Sequence, residues 1–269
     1  MALEPVRARV VAAMVRRDFS IARSYRMAFV LDSVFGVLNL VVFYYISRAV
    51  TPRGTDLSGA STYFDFAAIG LAMTLVLQAT TTQLGARIHQ EQMTGTLEAL
   101  WTQPVSAFEL SLGLAGFPFL FATLRAAVYL MLAAMLLGLE VGNANWPGLL
   151  LMLIVSGVAV GAIGIVVAAA VFAFKRGEGL AALFTFSLGL LGGALFPVEV
   201  FPSWLKPLAA IVPTRFAFDG IRTAVFEGSG WSGDFLSLLI FAACAIPLSL
   251  WVFRVALRHS LKTGSLGEY

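Results

Sequence analysis

Charge is scarce in this chain. Only 12% of its 269 residues are Asp, Glu, Lys or Arg, against 59% hydrophobic, where a soluble domain carries about 25% charged residues. So little charge cannot coat a soluble globule of this length. Cysteine is scarcer still. Cys244 is the single one and sits inside an apolar run, so no intrachain disulfide is possible, and it reads as a small buried or lipid-facing side chain. The two histidines, His89 and His259, are isolated, and no set of His, Cys and carboxylates has the spacing of metal ligands. No Ser/His/Asp arrangement offers a catalytic centre, so no enzyme activity is expected. A Gly-x-x-x-x-Gly-Lys-[Ser/Thr] phosphate loop is absent, which excludes the usual ATP-binding role, and no cofactor is expected in this chain. A net charge of +3 leaves no footprint for a nucleic-acid partner. The Arg-rich start is not followed directly by an apolar core and a small-residue cleavage site, so no cleaved signal peptide is expected.

What is present is long apolar blocks, of the length that crosses a bilayer as a helix. Six spans are predicted, at about 27–47, 64–85, 107–138, 148–174, 180–196 and 234–255. The fold class expected is an all-α, multi-pass membrane protein forming a single transmembrane domain over 1–269. Ahead of the first span, residues 6–26 alternate Val6, Val10, Met14, Ile21 and Tyr25 with arginines at roughly helical spacing. That pattern reads as an amphipathic helix in the membrane interface, guanidinium groups toward anionic headgroups, or else as a solvated tail.

The basic residues orient the spans. Of the 18, Arg7, Arg9, Arg16, Arg17, Arg23, Arg26, Arg87, Lys175, Arg176, Arg254, Arg258 and Lys262 fall on one side, Arg48, Arg53, Lys206, Arg215 and Arg222 on the other, and Arg125 within the third span. Lys and Arg are retained in the cytoplasm during insertion, so both termini are expected inside.

Two polar segments interrupt the apolar blocks. In 87–106, Thr94 or Thr96 can cap a short helix beginning near Leu97, and Glu98 suits its positive end. Leu97, Leu100 and Trp101 would share an apolar face, Pro104 would end the helix, and Ser106 would cap the next span. An apolar patch at the membrane surface that lipid does not cover suits a protein partner. A well-capped loop with no partner is the alternative. In 197–233, Pro197, Pro202, Pro207 and Pro213 rule out one straight span, and short helices that enter the membrane and return fit better. Phe201, Trp204, Phe216, Phe218 and Phe226 either line the exit of a pathway or form an interfacial aromatic belt.

Two motifs carry a family resemblance. The run Glu91-x-x-x-Gly95-Thr96-Leu97-Glu98-x-Leu100-x-x-x-Pro104-Val105-Ser106 resembles the signature of type-2 ABC transporter permeases. The stretch from Phe196 to Leu205, with Ile211-Val212-Pro213-Thr214 and Phe218-Asp219-Gly220-Ile221-Arg222, is similar to that family's extracellular re-entrant region. The resemblance implies a cytoplasmic coupling helix, shaped by Glu91, Gly95, Thr96, Glu98 and Pro104, with Leu97, Leu100 and Trp101 as contacts to a separate ABC-type ATP-binding subunit. It implies two permease chains, identical or related, in the cytoplasmic membrane, with ATP and Mg held by the partner. Export of an amphipathic substrate (a drug, a lipid or a lipid-linked glycan) is the activity implied.

Asp32 and Arg125 lie within predicted spans, where ionisable groups are costly and face protein or water. Asp32 either snorkels to the headgroups or serves the pathway, and Arg125 is expected at a dimer interface or pathway, paired with Asp32 or a carbonyl. An ion-coupled secondary transporter using these two residues is the rival reading, but the internal repeats it favours are not visible. In the fourth span, Gly157 and Gly161 form a Gly-x-x-x-Gly pair with Gly164 nearby, which suggests close helix packing.

Overall fold

The computed structural model describes residues 7–24, 26–49, 57–93, 107–173 and 177–262, and among these it contains helices and turns without strands. The helices are α1 (Ala8–Ser24), α2 (Arg26–Ala49), α3 (Tyr63–Met93), α4 (Ala107–Leu137), α5 (Trp146–Ala173), α6 (Gly177–Leu191), α7 (Lys206–Ile211), α8 (Pro213–Phe226) and α9 (Ser232–Lys262). One 3-10 turn, Val198–Val200, precedes α7. Among the described residues four stretches are long and apolar enough to cross a membrane: Tyr63–Thr82, Leu112–Leu137, Trp146–Ala170 and Ser232–Ala256. The other two predicted spans coincide with α2 and α6, whose described apolar stretches are shorter, Val34–Ala49 and Ala181–Leu191.

Local chemistry sets several boundaries. Thr62 Oγ1 accepts from the Asp65 amide at 3.2 Å while Asp65 Oδ2 accepts from the Thr62 amide at 3.1 Å, a reciprocal cap that starts α3. Pro213 opens α8, where its missing N–H costs nothing. At the end of α4, Gly138 takes φ +75° and the Leu139 amide reaches back to Ala133 O, a left-handed cap open to glycine.

Two helix ends differ from the ends of the predicted spans. The second span was expected to give way to loop at residue 87, but α3 runs on to Met93. No Pro or Gly interrupts Ala86–Met93, and Arg, Gln and Glu are good helix formers. The fifth span was expected to reach 196, whereas α6 ends at Leu191. Gly192 and Gly193 break it, the latter with φ +79°. The proline-rich segment is short helices, as its sequence suggests.

α3 is the hub. It packs against α2, α4, α5, α6 and α8, while α9 lies along α5 and α8, and it is the most buried of the four long apolar stretches. Bare backbone makes two of these contacts possible. Gly70 leaves no room for a Cβ beneath the carbonyl of Ala194, and Gly164 of α5 crosses against the carbonyl of Thr80. The Gly-x-x-x-Gly pair splits: Gly157 receives the Phe119 ring of α4, whereas Gly161 meets nothing among the described residues.

α1 is amphipathic, as expected, but its partner is α4. Met14 fills the space over Gly113, Val15 that over Gly116, and Phe19 meets Phe117 edge-on at 6.4 Å. Its arginines were expected at headgroups. Arg7 instead clamps the buried Glu109 through its amide at 2.7 Å and its Nε at 3.2 Å, and Arg17 Nε pairs with the buried Asp18 at 3.1 Å. Arg9, Arg16 and Arg23 are exposed.

Candidate functional site: a polar groove and its closed end

Every fourth residue along one face of α3 is polar: Thr74, Gln78 and Thr82, a stripe that helical geometry places on a single line. Opposite stands α6, with Ala182, Thr185, Phe186 and Gly189. Between them is a groove of about 430 Å³. Threonine suits such a place because its hydroxyl can bond the carbonyl one turn back, as Thr74 does to Gly70 O at 2.7 Å and Thr185 to Ala181 O at 2.8 Å. Toward the Met93 end of α3, Thr185 Oγ1 lies 2.7 Å from Thr81 Oγ1 and 3.0 Å from Thr82 Oγ1, joining the two walls. Gln78 is exposed, so its amide is offered to whatever occupies the groove. None of these residues stood out in the sequence, although a glutamine and three successive threonines inside an apolar span are a signal of a polar path.

The opposite end is closed by the turn after α6, where Ala194, Leu195 and Phe196 line the groove. That turn is held on several sides. Tyr63 donates its hydroxyl to Leu195 O at 3.0 Å, and Arg222 Nη2 donates to Gly193 O at 2.9 Å, to Ala194 O at 3.1 Å and to Phe66 O at 3.2 Å. Arg222 is fully buried. Its guanidinium lies 3.5 Å from the centre of the Phe66 ring, and Nη1 stands 3.5 Å from Asp219 Oδ1. Burial lowers this guanidinium to about 10, against the pull of Asp219, so it stays cationic at neutral pH.

Asp219 extends the network. It accepts from Ser58 Oγ at 3.1 Å and pairs with Arg215 Nε at 3.5 Å, and Arg215 reaches Glu199 at 3.9 Å. Its carboxyl is pushed up by burial, which Arg222, Ser58 and Arg215 oppose. The 57–62 turn, the start of α3, the turn after α6, the 3-10 turn and α8 are thereby joined at one end. In the sequence Arg222 counts only as one of the basic residues on the outer side and as the end of the Phe218–Arg222 motif. Its place one turn after Phe218 and one turn before Val225, on the apolar stripe of α8 and within a turn of Asp219, was the clue available.

The residues singled out in advance divide. Gly95, Thr96, Leu97, Glu98, Leu100, Trp101 and Pro104 lie outside the described residues, and Glu91 belongs to the last turn of α3. Asp32 is placed on α2 as backbone. Arg125 lies on α4, its guanidinium 5.8 Å from the Tyr129 ring, which itself packs over Gly36 of α2. The five aromatics of the 197–233 segment do not share one wall. Trp204 is exposed, Phe201 and Phe216 are half-buried, and Phe218 is buried in the core with Phe226.

An all-helical bundle in which several helices are long and apolar enough to cross a membrane, with a polar groove between α3 and α6, is the plan of a multi-pass membrane protein. The family model for the ABC-2 type transporter matches residues 9–226, and the chain belongs to that family. It is accordingly a transport component, in a family that normally works with an ATP-binding subunit. No significant match is found among curated proteins.

Proposed function

We propose that this chain is the membrane-spanning subunit of an ATP-driven exporter whose ATPase is a separate polypeptide holding ATP and Mg. In this reading α2 and α6 complete six spans in the cytoplasmic membrane, with both termini inside. Two permease chains, identical or related, face one another across the α3–α6 groove, and an amphipathic drug, lipid or lipid-linked glycan passes along it. The Thr74–Gln78–Thr82 stripe is the observation that carries the reading. It supplies hydrogen bonds for a polar head within apolar walls, and it is open along one side.

The 91–104 segment joins α3 to α4, so a push on it would reach both a groove wall and, through Glu109, the docked α1. Transport requires that ATPase closure favour a second arrangement of these helices, one in which the 192–196 turn leaves Tyr63 and Arg222.

The test is affinity purification of the tagged chain in mild detergent, comparing wild type with a Leu100→Asp/Trp101→Asp double variant. We expect a stoichiometric ATPase to accompany the wild type and to be lost from the variant. A chain that purifies alone and still moves substrate in liposomes without ATP would overturn the proposal.

A further inference from the structure

On the far side of α3 from the polar groove lies a second, different space. α4 and α5 are consecutive helices, yet they meet only sparsely. The loop between them explains the gap. Gly138 turns the chain out of α4, and the loop is then drawn across to α8, the Asn145 amide bonding Ala224 O at 2.8 Å and its side chain Gly228 O at 3.0 Å. α5 therefore starts over α8 rather than along α4. A crevice of about 370 Å³ remains, with α4 and α5 as walls and Ile69, Met73, Ile221 and Val225 as floor.

Its chemistry restricts the contents. The lining side chains are apolar except Thr123, whose hydroxyl is spent on Phe119 O at 2.8 Å. Water needs two to four polar partners and finds none here. An empty space would forfeit dispersion contacts along the whole lining. The volume falls within the range of about 300–1,000 Å³ typical of small-molecule sites. The mouth opens between Met131 and Met135 on one side and Trp146 on the other, all exposed, and it is continuous with the apolar outer faces of α4 and α5, where Leu124, Leu136, Leu150 and Ile154 are also exposed. In a membrane transporter that surface meets hydrocarbon. The flexible thioethers suit a chain that is itself flexible.

We infer that this crevice binds an acyl chain of a membrane phospholipid, inserted sideways between α4 and α5 to rest against α3 and the back of α8. Ile69 and Met73 point away from Thr74, Gln78 and Thr82 around α3. A second copy completing the groove would thus leave the crevice on the perimeter. Only that step rests on the proposed pairing; the binding itself does not.

The test reconstitutes the full chain in vesicles of phosphatidylcholine and phosphatidylglycerol containing a phospholipid with a photoactivatable diazirine in its acyl chain, and maps the adducts by mass spectrometry. Bulk lipid reaches only exposed residues such as Leu124 and Leu136. The expected result adds adducts on the buried floor, at Met73, Ile221 or Val225. Ala134→Phe, and separately Ala127→Phe, narrow the crevice and should abolish floor adducts while labelling of Leu124 and Leu150 persists. Floor residues that stay unlabelled in the wild type overturn the inference. So does an oxidative cross-link between two copies through Met131→Cys in a Cys244→Ser background, which would assign the crevice to a second chain. Neither result bears on whether an ATPase co-purifies, so this inference and the proposed function fail separately.

Discussion

Arg222 and Arg125 are two cations placed in apolar surroundings, and the fold treats them differently. Arg222 is enclosed: three carbonyls, an aromatic face and a carboxylate surround it. Removing one partner of such a set strands the others, at about 3–5 kcal/mol. Arg222→Ala should therefore lower the unfolding midpoint of the purified protein markedly, read by thermal unfolding in detergent. Arg222→Lys should recover part of the loss, since an ammonium keeps the charge but cannot reach three carbonyls and stack on Phe66 together. Arg125 is only half-buried beside Tyr129. A cation at this depth carries an insertion cost of about 2.5–3.5 kcal/mol, which suits a working role. Arg125→Leu is expected to reduce transport or assembly, measured by substrate efflux and size-exclusion profile. Wild-type values for both would remove Arg125 from the mechanism. At the same scale, Gln78→Leu should impair efflux while leaving the amount and oligomeric profile of the protein unchanged, because Gln78 is exposed to the groove and supports no packing.

At the scale of elements, α1 and α4 behave as a pair. Met14 and Val15 need the bare backbone of Gly113 and Gly116, and Arg7 needs Glu109. Gly113→Leu should lift α1 off α4 and leave its backbone free to unwind, so that limited trypsin digestion cuts faster near Arg16, Arg17 and Arg23 than in wild type. Unchanged cleavage would mean that α1 does not depend on this seat. The amphipathic pattern of α1 was legible in the sequence because helical period is a local property. Its partner was not, since a basic amphipathic face suits a headgroup layer and a neighbouring helix equally. Helix ends show the same division. The Thr62–Asp65 cap and Pro213 are local signals, while the early end of α6 follows from a Gly-Gly pair that apolar blocks on either side obscured.

For the molecule as a whole, the large exposed apolar side chains of α6, such as Leu183 and Phe186, stand beside the polar groove. A groove open along one side in a membrane needs either lipid or protein against it, and the proposed function requires protein. Leu183→Cys in a Cys244→Ser background should give a disulfide-linked pair of chains on mild oxidation in native membranes, provided the Cα atoms come within about 4.4–6.8 Å of each other. The product would be seen as a doubled mass on a non-reducing gel, and monomer throughout would separate the two grooves.

By itself the sequence determined the membrane setting, the all-helical class, the short-helix character of 197–233 and the family. All of these are written in composition, in run length and in contiguous motifs. Tertiary structure alone decided that α3 is the hub, that its Thr74, Gln78 and Thr82 face α6, and that Arg222 closes the end of that groove instead of meeting solvent. The physical reason is range. Bilayer insertion and helix formation respond to the nearest twenty residues or so, whereas Arg222 finds its carbonyls 28, 29 and 156 positions away along the chain. Its own neighbourhood shows a cation beside apolar positions, and only the fold shows which carbonyls receive it.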